Sequence, residues 1–287
     1  DHNCSDCVSC NQYGLSLRKM QLFQSKLYKL VKENALVKIL RAKHNRKMYD
    51  VVVQVTEEQV VDLAKQKVYQ DLDLLESLDV VHFNSSNTLR VYQNRGYSGE
   101  NACIVSISNG AIQDHKKRRT VKGKLRLGYL GPITTHKGYN LFKGACDEIW
   151  NSGIRNFEAH IFVEIGNPPP YMVCHKPYKY QELPDVMNQF DVLVTPSEWE
   201  ETFGFTVLEG LSYGIPVIVS NRVGAKDLVK DSENGYIVEN TVSALADKMK
   251  ELIQNIEQVN NMNRYIVNED TIKGMKEHSM EILQLYK

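Results

Sequence analysis

The chain has 287 residues, 42% hydrophobic and 24% charged, a globular composition long enough to favour two domains over one. Lys plus Arg and Asp plus Glu balance at 35 each, so the net positive charge that draws a protein to nucleic acid is missing. No run approaches the roughly 18 apolar residues of a membrane-spanning helix, and no secretory leader opens the sequence.

The first residue is Asp1, in a polar, Cys-rich stretch, so the expectation is a piece of a longer cytoplasmic chain. Cys4, Cys7 and Cys10 form a C-x-x-C-x-x-C run of a kind that can ligate zinc or an iron–sulfur cluster. No fourth Cys follows nearby and His2 is poorly placed, so the plainer reading is a group of reduced thiols. Residues 15–47 predict a helix, with Leu22, Leu27, Leu30, Val31, Leu36 and Ile39 near a 3.6 period. From Arg18 to Lys47 ten Lys or Arg face only Glu33. Such a basic amphipathic helix either lies against an anionic membrane surface, such as the inner face of the plasma membrane, or packs on a sheet with its charged side solvated.

The periodicity then changes. Asp50–Thr56, Asp79–Ser85 and Cys103–Ile107 are short β-branched or apolar runs separated by helical stretches, and Asn109-Gly110 is a turn signal. Buried strands alternating with helices predict a parallel, doubly wound α/β sheet. Residues 114–124 carry six Lys or Arg and no aromatic, and read as a linker. A second alternation follows, with strands at Leu125–Leu130, Phe157–Val163, Asp191–Thr195, Ile215–Ser220 and Tyr236–Val238. Helices are expected at about 137–150, 180–190 and 204–213, near 225–229, and at the end of the chain. The predicted organisation is a partial first domain at 1–113, a linker at 114–124, a complete Rossmann-like domain at 125–268, and a final helix at 269–287.

In such a sheet ligands sit beyond the carboxyl ends of the strands, which puts Gly131–Gly138, Pro196–Gly204 and Ser220–Gly224 along one edge. In Pro196–Gly210, Glu201 stands in a loop and Glu209 on a helix opened by Gly204. Free amides at that helix start suit an anion such as a diphosphate, against the backbone of Phe203, Gly204, Phe205 and Thr206. The carboxylates would accept hydroxyls instead, Glu209 from a ribose and Glu201 from a sugar. In Gly131-Pro-Ile-Thr-Thr-His-Lys-Gly138, Gly131 allows a tight turn and Lys137 offers a point charge to phosphate. The loop is neither a P-loop nor a dinucleotide fingerprint, and alone Lys137 would read as a surface lysine. His82, His115, His160 and His175 form no constellation in the sequence and read as structural or exposed, and Trp199 as a wall of the pocket.

The pattern Glu201-x7-Glu209, with Gly214-Ile-Pro-Val-Ile-Val-Ser220 and Gly224 after it, resembles the E-x7-E signature of group 1 (GT4-type) glycosyltransferases of GT-B fold. Lys137-Gly138 and Asn109-Gly110 match two further marks of that family, and the resemblance spans roughly residues 75–287. It implies an α/β protein of two Rossmann-like domains with parallel sheets, the first incomplete here, and a retaining transfer from a nucleotide-sugar such as a UDP- or GDP-sugar. It implies no cofactor and no metal at the diphosphate, and an acceptor that is a saccharide or glycolipid. Carried over by position, Glu201 contacts the donor sugar, Glu209 the ribose and Lys137 the leaving diphosphate, while the base rests near Tyr178–Glu182. The last segment, about 270–287, resembles a helix that crosses back to the first domain.

Two departures stand out. Pro132 occupies the place where many relatives carry an Arg, so one phosphate contact is either missing or supplied from elsewhere, with Arg222 and His136 as candidates. The acceptor-side Gly-rich loop is not found, so the chain as given is expected to bind donor more readily than to turn over. Rival readings are a non-catalytic nucleotide-sugar-binding module, or a sugar-nucleotide epimerase or a sugar-phosphate isomerase on a similar frame, which would need acid–base residues that this pattern lacks.

Overall fold

The computed structural model describes residues 57–269 and 272–286. The expectations for Cys4–Cys10, the basic helix at 15–47 and the strand at 50–56 lie outside the described residues. The chain divides into two compact units, residues 1–77 and 78–287. In the first, helix α1 spans Glu57–Glu76, has neither Gly nor Pro, and carries a Lys67–Asp71 ion pair one turn apart (2.7 Å).

The second unit opens with strand β1 (Val81–Phe83), helix α2 (Ser86–Gln93) and strand β2 (Ala102–Ile104). The two strands pair in parallel, Val81 opposite Ala102 and Phe83 opposite Ile104. Both are shorter than their apolar runs. Ser85 ends the first by capping α2, its side chain accepting from the Thr88 amide. The basic stretch after Asn109-Gly110 is strapped to the following domain rather than free. Lys116 Nζ donates to Glu269 O, Arg119 N to Asn263 Oδ1, and the Arg119 guanidinium to Met187 O.

A six-stranded parallel sheet follows, made of β3 (Leu125–Tyr129), β4 (Phe157–Ile161), β5 (Met172–Cys174), β6 (Val192–Thr195), β7 (Val217–Ser220) and β8 (Gly235–Val238). Its order is β5-β4-β3-β6-β7-β8, the doubly wound order that reverses direction between β3 and β6. Both faces are covered, which explains why β6 and β7 read as unbroken apolar runs instead of alternating. One buried cluster holds Leu125, Leu127, Phe142, Ile149, Phe157 and Met249; another holds Phe190, Leu193, Val207, Leu211, Val217 and Ile266.

The covering helices are α3 (Tyr139–Asn151), α4 (Leu183–Met187), α5 (Phe205–Ser212), α6 (Val242–Gln254) and α7 (Ile256–Asn268). Four details differ from the sequence reading. Residues Thr135–Lys137 form a 3-10 turn, so Lys137 precedes α3 and Gly138 separates them. The stretch 180–190 divides into a 3-10 turn at Tyr180–Glu182 and the short α4, and Gly224–Leu228 is likewise a 3-10 turn. Strand β5, which the Pro168–Pro170 run obscured, is a three-residue edge strand. Finally α8 (Met275–Gln284) brings the chain back toward β2: Ser108 Oγ donates to Lys273 O (2.7 Å) and His278 Nδ1 lies 3.1 Å from Ser106 O. No described helix is long and apolar enough to cross a membrane.

Candidate functional site

The reversal between β3 and β6 throws the loops after these two strands together. Gly138, at φ 76°, lies so close that a Cβ there would meet Pro196 O at 1.8 Å. His136 O accepts from the Glu198 and Trp199 amides (3.0 and 3.1 Å). From the β3 side, Tyr129 Oη donates to Pro132 O (2.8 Å) and so braces the Gly131–Lys137 loop. Pro132, unable to offer a charged contact, therefore serves here as an acceptor in the loop's own frame.

The two loops meet in an ion pair. Lys137 Nζ stands 2.8 Å from Glu201 Oε1, and Ser197 Oγ lies 2.7 Å from the same oxygen. The Glu201 side chain is 12% exposed and that of Lys137 41%, so the carboxylate is set in the wall and the ammonium faces outward. Gly204, at φ 100°, opens α5, and a Cβ there would come 3.3 Å from Glu201 Oε2. Gly131, Lys137, Glu201 and Gly204 thus fall in one place, as the loop order predicted.

The backbone beside Glu201 is turned in a defined sense. Glu201 O accepts from the Gly224 amide (3.1 Å), Thr202 O from Ser85 Oγ (2.6 Å), and Phe203 O from the Ala225 amide (2.6 Å). In a trans peptide the N–H points opposite to the preceding carbonyl. The Thr202, Phe203 and Gly204 amides therefore face away from those partners, and the first-turn amides of Phe205 and Thr206 continue the row. The Phe203 ring is buried in the core, so only its backbone can meet a ligand.

Glu209 belongs to a separate cluster. It borders an open cavity of about 200 Å³ with Tyr180, Leu183, Tyr213, Ile112 and His115. Burial pushes its carboxyl above the usual range, while a hydrogen bond from the Tyr180 hydroxyl pulls the other way. Burial, and then the charge of Glu209, raise Tyr178 and Tyr180 in turn. Within the stretch 178–182, Tyr180 is the residue that meets Glu209, whereas Tyr178 packs edge-on against Phe162 (5.4 Å). Its place between two polar neighbours gave no sequence signal of this.

Of the two candidates to supply a cation in place of Pro132, Arg222 is turned to Glu200 (3.4 Å), and His136 lies edge-on to Trp199. Sequence reasoning missed Ser197, Ser85 and Asn87, all buried and all bonded to the Glu201 loop. Among the described residues no group of three or more His, Cys, Asp or Glu is arranged to hold a metal ion.

Comparison with known proteins bears on the family and the fold. The model of the family Glycosyl transferases group 1 matches residues 171–268. Spore coat protein SA of Bacillus subtilis is 27% identical over 89 residues, covering 30% of this chain and 24% of that protein. D-inositol 3-phosphate glycosyltransferase of Paenarthrobacter aurescens is 26% identical over 137 residues, covering 47% of this chain and 33% of that protein. The chain spans a third or less of the length of these curated relatives. The crystal structure of Anabaena Alr3699/HepE in complex with UDP and glucose superposes with a TM-score of 0.61 at 14% identity, over 77% of this chain and 67% of that one. This likeness bears on the fold, which is the α/β GT-B fold with parallel sheets. The family match takes in β5 through α7 with Glu201 and Glu209 inside it, and over that stretch the chain is similar to the group 1 glycosyl transferases.

Proposed function

We propose that this chain carries the nucleotide-sugar site of a glycosyltransferase that moves a sugar to a saccharide or glycolipid acceptor with retention at the anomeric carbon. The observation that carries the reading is the Lys137–Glu201 pair beside the start of α5, at the point where the sheet order reverses. A cation and a row of amides suit a diphosphate; a neighbouring carboxylate does not, but it suits sugar hydroxyls. In this reading residues 125–268 bind the donor, 1–113 belong to the acceptor side, 114–124 link the two, and 269–287 return to the first.

Each residue then has a task. Lys137 and the amides of Phe203, Gly204, Phe205 and Thr206 receive the diphosphate. As the bond from the sugar to the diphosphate breaks, negative charge grows on the departing oxygen, and donors already in place lower that barrier. Glu201 accepts hydroxyls of the donor sugar, and Glu209 those of the ribose, with Gly131 keeping the first loop tight and the base lying by Tyr178 and Tyr180. A UDP-sugar is the first donor to try, since the similarly folded Anabaena protein was crystallised with UDP and glucose.

Calorimetric titration with UDP, GDP and ADP, repeated on Glu209→Ala, tests the reading. Saturable binding of one nucleotide, weakened in the variant by about 1–3 kcal/mol for a lost bond to a charged group, supports it. A folded chain that binds none of them sinks it.

A further inference from the structure

The loop that bears Glu201 is held from α2 by one buried amide. Asn87, on α2 and 1% exposed, donates through Nδ2 to both Glu201 O (3.1 Å) and Arg222 O (3.0 Å). These two carbonyls belong to the short parallel pairing in which the Glu201 amide donates to Arg222 O (2.9 Å) and Gly224 to Glu201 O. Asn87 spans that pairing like a staple. Its own Oδ1 accepts from Arg90 Nη2 (2.7 Å), so hydrogens and oxygen are all used. Around it, Ser85 Oγ and Thr88 Oγ1 meet Thr202 O (2.6 and 3.0 Å), and Asp227 takes the Ser86 amide (2.6 Å).

Packing alone does not call for this residue. An apolar side chain of the same size would fill the space but leave each of the two carbonyls with its backbone donor alone. Only a primary amide offers two N–H groups at a fixed angle from one short side chain. What the fork determines is the position of the peptide from which the Glu201 carboxylate springs.

We propose that Asn87 is a positioning residue: by holding the Glu201 backbone it sets the carboxylate against the hydroxyls of the donor sugar, making α2 part of sugar recognition. This rests on the reading of Glu201 given above. Lys137 and the α5 amides, assigned to the diphosphate, do not touch Asn87, so the effect falls on the sugar and not on the nucleotide.

The test is calorimetric titration of the full chain with UDP and UDP-glucose, with GDP and GDP-mannose in parallel, for the unaltered protein, Asn87→Asp and Glu201→Ala. Asn87→Asp keeps the shape and removes both donors. It is expected to weaken the nucleotide-sugar about tenfold, as for two lost hydrogen bonds, while the free nucleotide changes less than about twofold. Equal weakening of both ligands, or of neither, overturns the proposal, since a merely structural role spares neither and an idle residue spares both. If Asn87→Asp does not fold, Asn87→Ser reads the same ratio. Glu201→Ala keeps the two ideas apart. A ratio unchanged there removes Glu201 from sugar binding and the proposal with it; a ratio lowered there but unchanged in Asn87→Asp removes the proposal alone.

Discussion

Lys137 Nζ and Glu201 Oε1 stand 2.8 Å apart although 64 positions separate them in the chain. An ammonium has three hydrogens, and with one on Glu201 the others are available to phosphate oxygens. The pairing also aims the cation before any ligand arrives, which is the preorganisation that charge stabilisation needs. Lys137→Met keeps the length of the side chain and removes the charge. Donor turnover, measured as hydrolysis or transfer from the nucleotide-sugar that binds, is expected to fall by about 10²–10³, the effect of deleting one preorganised donor. A kcat within about threefold of the unaltered protein would take Lys137 out of the leaving-group role.

Glu209 makes a prediction about pH. In the proposed role only an ionised carboxylate would accept ribose hydroxyls on both oxygens, and burial raises the Glu209 carboxyl above the ordinary value. Nucleotide affinity should therefore decline on acidification sooner than an ordinary carboxylate, near 4.3, would make it. The diphosphate itself gains a proton in the same range, so the control is Glu209→Gln. Titrations of UDP from pH 7.5 to 5 should show a decline that is shallower in the variant. Parallel curves would mean that Glu209 does not report on ribose binding.

The edge loops were legible because their residue types have a local reason to be there: glycines where the chain turns, a cation and acids at the carboxyl edge of the sheet. The strands of the sheet were legible because burial on both faces leaves apolar runs. What was hidden depends on distance across the fold. Ser197, Ser85 and Asn87 are ordinary polar residues until folding places them on Glu201 and its loop. Tyr180 looked no different from Tyr178 until Glu209 reached it. Strand β5 has three residues, too few to show a period.

Gly138 offers a test of the contact between the loops. At φ 76°, and with Pro196 O at 1.8 Å from any added Cβ, alanine must both strain its own backbone and push the two loops apart. Gly138→Ala is expected to destabilise the protein by about 2 kcal/mol or more, a fall of roughly 4–8 °C in Tm for a domain of this size. Thermal unfolding reads the first effect and UDP titration the second. Unchanged Tm with unchanged binding would show that the loops do not meet as described.

His160 and His175 carry the last prediction, which concerns stability alone. His160 Nδ1 lies 3.0 Å from His175 Nε2, the rings stack, and Phe162 covers His175. One N–H serves that bond, and a second proton would set two donors face to face. Burial, and then His175, lower His160 to about 4, while burial lowers His175. Both folded values lie below the ordinary imidazole value near 6.5, so on acidification the unfolded chain takes up protons first. Their contribution is complete above about pH 6.5 and is lost as pH falls from there toward 4. Glu209 works in the opposite sense, since a raised carboxyl favours the folded state as it protonates. The informative quantity is therefore a difference: Tm at pH 7 minus Tm at pH 5, for the unaltered protein and for His160→Asn. The difference should shrink in the variant, because asparagine has no proton to gain. If it stays the same, the acid sensitivity of the fold arises elsewhere and the histidine pair is inert to pH.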